Sequence, residues 1–243
     1  MTFYKFVIQS NLMELRFIMT IIKGIVINVC KFVIMYPLVV DCQMFPCIDY
    51  MKKLIQYKHI KIEAFETYQK MSFRNRYIIS TGNGLLNLSI PISGGREQKA
   101  AIKEVRIDNT TNWKTKHWRS LHSAYSKAPF FEFYEEEIRH LIFSENEFLF
   151  LFNIKILNWL RMVLKMRFVL ELTEEYVTHY NNATDCRNFF VPKSFQKNID
   201  HWLPRYPQVF EERIGFQPNL SVIDLILCQG PNAVYLINQS VSL

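Results

Sequence analysis

The sequence predicts an α/β domain, a mixed sheet flanked by helices. Three observations carry that prediction. A strand, a helix and a second strand succeed one another between Tyr36 and Phe65, the mark of a parallel βαβ unit. A glycine-bearing hairpin follows, and then long apolar helical runs. No linker rich in Gly or Ser divides the chain, so residues 36–243 read as one domain, with residues 1–35 an extra hydrophobic segment.

The opening segment is apolar but irregular. Phe17 to Val40 is long enough to span a bilayer, yet Lys23, Asn28 and Lys31 interrupt it. A lysine near the middle of a span costs roughly 2.5–3.5 kcal/mol, so two would offset most of the apolar gain. No run of small residues marks a signal-peptide cleavage site. Three readings stay open: a start placed too early, with Met35 the true one; a membrane-associating segment over residues 17–40; or a folded helix.

Leu38 to Asp41 is a short apolar run suited to a buried strand. Pro46 suits the first turn of a helix, and Ile48, Met51, Leu54 and Ile55 recur at helical spacing. "HIKIEAF" alternates as a strand does. "RNRYIISTGNGLLNLSIPI" is two β-rich runs joined through Gly82, Asn83 and Gly84, hence a hairpin. "AIKEVRID" reads as a further strand. "NWKTKHWRSLHSAYSKAPFFEFY" then reads as a helix capped by Thr111 or Asn112, with Pro129 at the boundary to the next. "EFLFLFNIKILNWLRMVLKM" is a helix apolar nearly all round, which predicts that it is buried. The tail places Asn219 or Ser221 as the cap of a helix ended by Gly230, with Pro231 opening another.

Charge and cysteine usage exclude some functions. The formal charge is +7, but the charged residues of the first 35 (Lys5, Glu14, Arg16, Lys23, Lys31) hold +3 of it and leave +4 for the rest. That bias is too weak to favour nucleic acid. The five cysteines form no CxxC pair and are odd in number, as expected of a reduced, cytoplasmic chain without a disulfide framework or zinc knuckle. GxGxxG, GxxxxGK[ST], GxSxG and HExxH are all absent. Neither a cofactor nor a metal is expected.

Several residue groups admit both a functional and a structural role. Arg74 and Arg76, two apart on a strand, would share a face and make a clamp for phosphate or carboxylate; alternatively each forms a salt bridge, perhaps with Glu63 or Glu66. Trp113, His117, Leu121 and Tyr125 line one helical stripe, beside a row of Trp118 and His122. His117 is either a general base, with a reference pKa near neutrality, or a hydrogen-bonded core histidine. Asn219, Ser221 and Asp224 are either site residues or a cap and first-turn acid. Asp185 and Arg187 suit a local ion pair, and Cys42 a buried thiol or a nucleophile after a strand.

Three blocks in order, "YQKMSFRNRYII…GNGLLNLSIPI", "NWKTKHWRSLHSAYSKAPFFEFY" and "YPQVFEERIGFQPNLSVIDLILCQGPNA", resemble the WbqC-like family of bacteria from about Tyr36 to the C-terminus. Many members carry His-Gln where this chain has Cys42-Gln43, so no histidine role transfers there. The resemblance implies work in assembly of O-antigen and other surface polysaccharides, with an acyl- or aminoacyl-type (glycyl-like) transfer onto a sugar. The alternative is a non-catalytic binding or scaffold protein of the same machinery, cytoplasmic or at the inner membrane. The expected partners are a nucleotide- or lipid-linked sugar and an acyl or aminoacyl donor. The expected site has His117 as general base with Ser221 and Asp224. Arg74 and Arg76 form the anion clamp, and Gln69, Lys70, Asn75, Trp113, Trp118, Tyr125, Gln208 and Asn219 line the substrate. Aromatic faces on the helix would stack on pyranose CH groups.

Overall fold

The computed structural model describes residues 36–95, 97–196 and 203–239. The readings made for residues 1–35 lie outside them. The end of the 17–40 stretch does not: Leu38, Val39 and Val40 are wholly buried in the first strand, so this part of the stretch belongs to the core. Among the described residues no helix is long and apolar enough to cross a membrane.

Strand β1 (Leu38–Asp41) is buried at every position, which explains its continuous rather than alternating apolar pattern. Helix α1 (Ile48–Ile55) crosses over to β2 (His59–Glu63), and the two strands pair in parallel from Leu38↔Ile60 to Asp41↔Glu63. The hairpin follows as β3 (Arg76–Thr81) and β4 (Gly84–Ser89), antiparallel, turning through Gly82 and Asn83. Helices α2 (Trp113–Tyr125), α3 (Phe131–Phe143) and α4 (Leu149–Val163) come next. Two short strands, β5 (Val169–Leu172) and β6 (Thr184–Asp185), return to the sheet before α5 (Glu211–Ile214), α6 (Val222–Gln229) and α7 (Asn232–Gln239).

The fold is α/β, and its two strand orientations are held in separate sheets. One is four-stranded and parallel, in the order β5-β2-β1-β6; the other is the antiparallel hairpin. In the parallel sheet β1 sends its connection towards β2, while its other edge receives β6. The strand direction of travel therefore reverses at β1, the place where open parallel sheets gather their polar residues beyond the strand ends. Helix α2 lays its Trp113–His117–Leu121–Tyr125 stripe into the core, and Trp113 meets Phe152 of α4 with ring centroids 5.8 Å apart. Trp159 of α4 donates its indole N–H to Glu137 of α3 at 2.6 Å, pinning those two helices.

Three details differ from expectation. "AIKEVRID" is not a strand: Ile102–Glu104 form a 3₁₀ turn, with Ile102 buried on it and the extended Val105 buried just after it. Strands β5 and β6 escape the sequence pattern. The long α4 is not buried all round, since Leu151 and Met162 are largely exposed.

Gly230 ends α6 at φ +52°, ψ −130°, backbone space closed to side chains, and its Cα lies against the Phe130 ring. A Cβ there would overlap that ring. Gly230→Ala should therefore lower stability by roughly 2–4 kcal/mol, strain and clash combined. The check is a urea midpoint that falls with an unchanged slope; an unchanged midpoint would mean that the Phe130 ring yields freely.

Candidate functional site

The ends of the parallel strands gather buried charge. Asp41 ends β1, Glu63 ends β2, and Asp185 ends β6. Arg74 enters from the loop ahead of β3 and is completely buried. Its Nε and one terminal nitrogen donate to the two Glu66 carboxylate oxygens at 2.7 and 2.5 Å, and Asn188 Oδ1 accepts from it at 2.8 Å. Its other terminal nitrogen lies 3.7 Å from Asp41 Oδ2 and makes no hydrogen bond. Burial opposes the guanidinium charge, but Asp41 and Glu66 outweigh it and hold the pKa above its usual value. Gln43 donates to Asp41 at 2.9 Å, and Asn153 of α4 donates to the Arg74 carbonyl at 2.7 Å. Alongside, Arg187 bridges Glu63 at 2.9 Å and Asp185 at 2.6 Å. Cys42 is enclosed here; burial, then the nearby Asp41 and Glu66, push its thiol well above the usual range, so it is a poor nucleophile.

A second knot joins the hairpin, α2 and α6. Asp224 is wholly buried and accepts from Ser80 at 3.1 Å, Tyr125 at 2.7 Å and Tyr206 at 2.7 Å. Burial lifts its carboxyl above the usual range despite these three hydroxyls. Ser221 caps α6, accepting from Ile223 N–H, while its hydroxyl donates to Phe45 C=O at 2.9 Å. Asn219 caps a different helix: its Oδ1 accepts from Asp49 N–H in the first turn of α1 at 2.9 Å. Gln208 clasps the Gln217 backbone through both halves of its amide, at 2.8 Å each. Tyr125, Gln208, Asn219, Ser221 and Asp224 are all buried, and their polar groups are engaged.

His117 is likewise enclosed. Its Nε2 lies 3.2 Å from the Ser89 carbonyl and its Nδ1 3.4 Å from the Tyr77 hydroxyl, so Nε2–H donates and Nδ1 accepts. Burial lowers its pKa to about 4 despite the Ser89 hydrogen bond, leaving it neutral at physiological pH. Trp113, equally buried, donates to Asn109, while the half-buried Trp118 packs on Phe131.

The open part of the predicted site is elsewhere. Arg76 begins β3, whereas Arg74 precedes the strand, so the two do not form one clamp. Arg76 lies beside a crevice of about 390 Å³ whose walls include Tyr68, Met71, Asn75, Ser89 and Gly95. It makes no ion pair or side-chain hydrogen bond with any described residue, and its Nε is buried without a partner. Asn75 is 7% exposed; its amide nitrogen donates to Ile90 C=O at 2.8 Å while its Oδ1 has no partner. Gln69 and Lys70 sit on the exposed loop between the wall residues Tyr68 and Met71. Lys70 is paired with Glu97 at 2.7 Å. His117 stands behind this wall, holding it through Ser89. The three sequence blocks therefore meet through the core; His117, Asn219, Ser221 and Asp224 do not line the crevice.

A larger groove of about 620 Å³ runs between the hairpin turn and α2, edged by Arg119 and Arg213. Both arginines there are exposed, so water satisfies them at little cost. Arg76 differs because its unpaired N–H is out of water's reach, a state costing about 1–3 kcal/mol. Among the described residues no cluster of three His, Cys, Asp or Glu side chains is placed to hold a metal. Sequence reasoning named Glu66 as one alternative partner for Arg74 but missed Asp41, Gln43, Asn153 and Asn188. The crevice residues Tyr68, Met71 and Ser89 were missed too; only Met71, held at φ +56°, is conformationally unusual, and its sequence carries no signal of it.

The fold and its charges define the class: an α/β domain without a phosphate-binding glycine loop, whose polar residues are side chains gathered at strand ends and along a hairpin. Within that class the chain belongs to the WbqC-like protein family, whose model matches residues 42–236. It is 25% identical over 193 residues to the uncharacterized protein Rv1507c of Mycobacterium tuberculosis (strain ATCC 25618 / H37Rv), an alignment covering 68% of this chain and 81% of that one. No solved structure matches it.

Two stability predictions follow from this geometry. Arg74→Met strands two buried carboxylates and should cost about 3–5 kcal/mol; a cost under 1 kcal/mol in denaturant titration would show the pair to be dispensable. His117 has a folded pKa of about 4 against an unfolded reference near 6.5. Its stabilisation is complete above pH 6.5 and is lost as pH falls from there towards 4, by roughly 3 kcal/mol in all. Asp224, with its raised pKa, acts in the opposite sense, so the difference between wild type and His117→Gln isolates the histidine. That difference should change between pH 7 and 4; parallel curves would sink the assignment.

Proposed function

We propose that this protein serves the assembly of bacterial surface polysaccharide as a binding component, holding an anionic intermediate in the crevice beside Arg76. The observation that carries this reading is Arg76 itself: a half-buried guanidinium with no counter-ion among the described residues. A cation so placed favours a phosphate or carboxylate, and a guanidinium binds either with two parallel hydrogen bonds. The polysaccharide context, and with it a nucleotide- or lipid-linked sugar as ligand, comes from the family resemblance. Transfer of an acyl or aminoacyl group onto a sugar would need a base beside the ligand. His117, Ser221 and Asp224 are each enclosed and engaged, so the geometry favours binding over transfer. Work at the cytoplasmic face of the inner membrane is part of the same proposal.

The test is thermal melting of the full chain with inorganic phosphate, pyrophosphate and a nucleoside diphosphate sugar. A ligand that binds only the folded state at a hundred times its Kd adds about 2.7 kcal/mol. The shift should vanish in Arg76→Ala and shrink at high salt. A shift that survives in Arg76→Ala would remove the crevice from consideration.

A further inference from the structure

Helices α2 and α3 follow one another in the chain and carry opposite charge. Helix α2 holds Lys114, Lys116 and Arg119 and no acid. Helix α3 holds Glu132, Glu135, Glu136 and Glu137 against Arg139 alone, a net of −3 from four acids and one base. Lys114 and Glu137 are engaged, by the Ser144 carbonyl and the Trp159 indole N–H. Lys116, Arg119, Glu132 and Glu136 are exposed, and among the described residues no salt bridge links the two helices. The helices meet through Trp118 and His122 on Phe131, which leaves their charges to solvent.

Each charge is matched to a shape. Beside α2 lies the groove of about 620 Å³, with Leu86, Ala124 and Phe210 among its apolar walls and Arg119 and Arg213 at its edge. Arg213 rests on the hairpin turn: it donates to Asn83 Oδ1 at 3.4 Å, and a Cβ on Gly82 would come within 3.0 Å of it. No acidic side chain lines the groove. Helix α3 presents the converse. Phe133 is 80% exposed, the most of any large apolar side chain among the described residues. Glu132 precedes it and Glu136 stands one helical turn on, so the ring projects from an acidic surround.

A face of this kind is complementary to itself. Under a two-fold rotation the basic helix of one copy meets the acidic helix of the other, twice over. We propose that this face joins two copies of the chain, with Phe133 of each seated in the other's groove and Glu132 and Glu136 on Arg119 and Arg213. The inference is independent of the Arg76 crevice. Each helix has 13 residues. At about 20 Å in length, two such helices offer roughly half of the ~800 Å² that each partner buries in a stable dimer. The association is therefore reversible, and its exposed charges make it sensitive to salt.

The experiment is sedimentation velocity of the full chain over a dilution series, at low and at high salt. A monomer–dimer equilibrium that weakens with salt is expected. Arg119→Glu and Glu136→Arg should each raise the dissociation constant by about tenfold or more, and the double variant should restore it, because each reversed charge then faces its opposite in the other copy. Phe133→Ser should weaken the dimer at high salt as well as at low, since burial of the ring is not screened. All three positions are exposed, so the urea midpoint of each variant should match that of the wild type. Recovery in the double variant is a gain that a misfolded chain could not show. A monomer at every concentration in low salt would overturn the proposal and leave the groove to an acidic segment of another protein. A dimer indifferent to all three single substitutions would overturn it too, by placing the contact on another face.

Discussion

A buried guanidinium is the constraint around which this fold is arranged. Removing Arg74 from water is affordable only if its charge is answered inside the protein. The answer draws on distant parts of the chain: Asp41 at the end of β1, Glu66 in the loop after β2, Asn188 beyond β6, and Asn153 on α4, which binds the Arg74 carbonyl. Each element is therefore fixed against the others by a polar contact that tolerates little displacement. Packing alone would leave the parallel sheet and α4 free to slide by fractions of an ångström; the hydrogen-bond geometry at Arg74 does not. The network also explains why Cys42 and Gln43, although at a strand end where ligands commonly bind, are closed off from solvent.

The C-terminal segment plays a complementary part. Asn219 takes up φ +56° and turns its side chain onto the first turn of α1, its partner Asp49 lying 170 residues earlier. The next residues bond the loop after β1 and the third strand: Ile48 N–H to Leu220 C=O, Ser221 N–H to Ile78 C=O, and Val222 N–H to Pro46 C=O. Two residues beyond Val222, Asp224 gathers Ser80, Tyr125 and Tyr206. Asn219, Ser221 and Asp224, which the sequence offered either as site residues or as a cap and first-turn acid, thus act as a clasp. Their polar groups are buried and engaged in joining the two sheets to α1, α2 and α6.

What was legible in the sequence follows from this division. Local periodicity exposed β1, α1, β2, the hairpin and α2, because each states its own pattern within ten or so residues. Strand β5 was hidden since the apolar run of α4 continues almost into it, and the break at Lys165, held at φ +50°, carries neither Gly nor Asn to announce it. Strand β6 is two residues long and is defined by its neighbour β1, not by its own composition. The candidate site was read at the level of residue type and misread in geometry. Arg74 and Arg76 are two apart, but the strand begins only at Arg76, so the shared face assumed for them does not exist. Nothing local distinguishes an arginine destined for Glu66 and Asp41 from one left open; the partners lie across the fold.

That contrast between two arginines bears directly on function. The chain lacks the glycine-rich loops that cradle phosphates in backbone amides, which turns attention to side chains as anion ligands. Arg74 cannot be that side chain, because its carboxylates would have to be abandoned to release it. Arg76 carries no such debt. It stands two residues away, on a wall kept in register by the Tyr77–His117–Ser89 contacts and by the pairing of Arg76 with Ser89 across the hairpin. The buried network and the hairpin pairing hold the wall on which this unpaired guanidinium stands, and that fixed position is what the proposed anion-binding role would draw on.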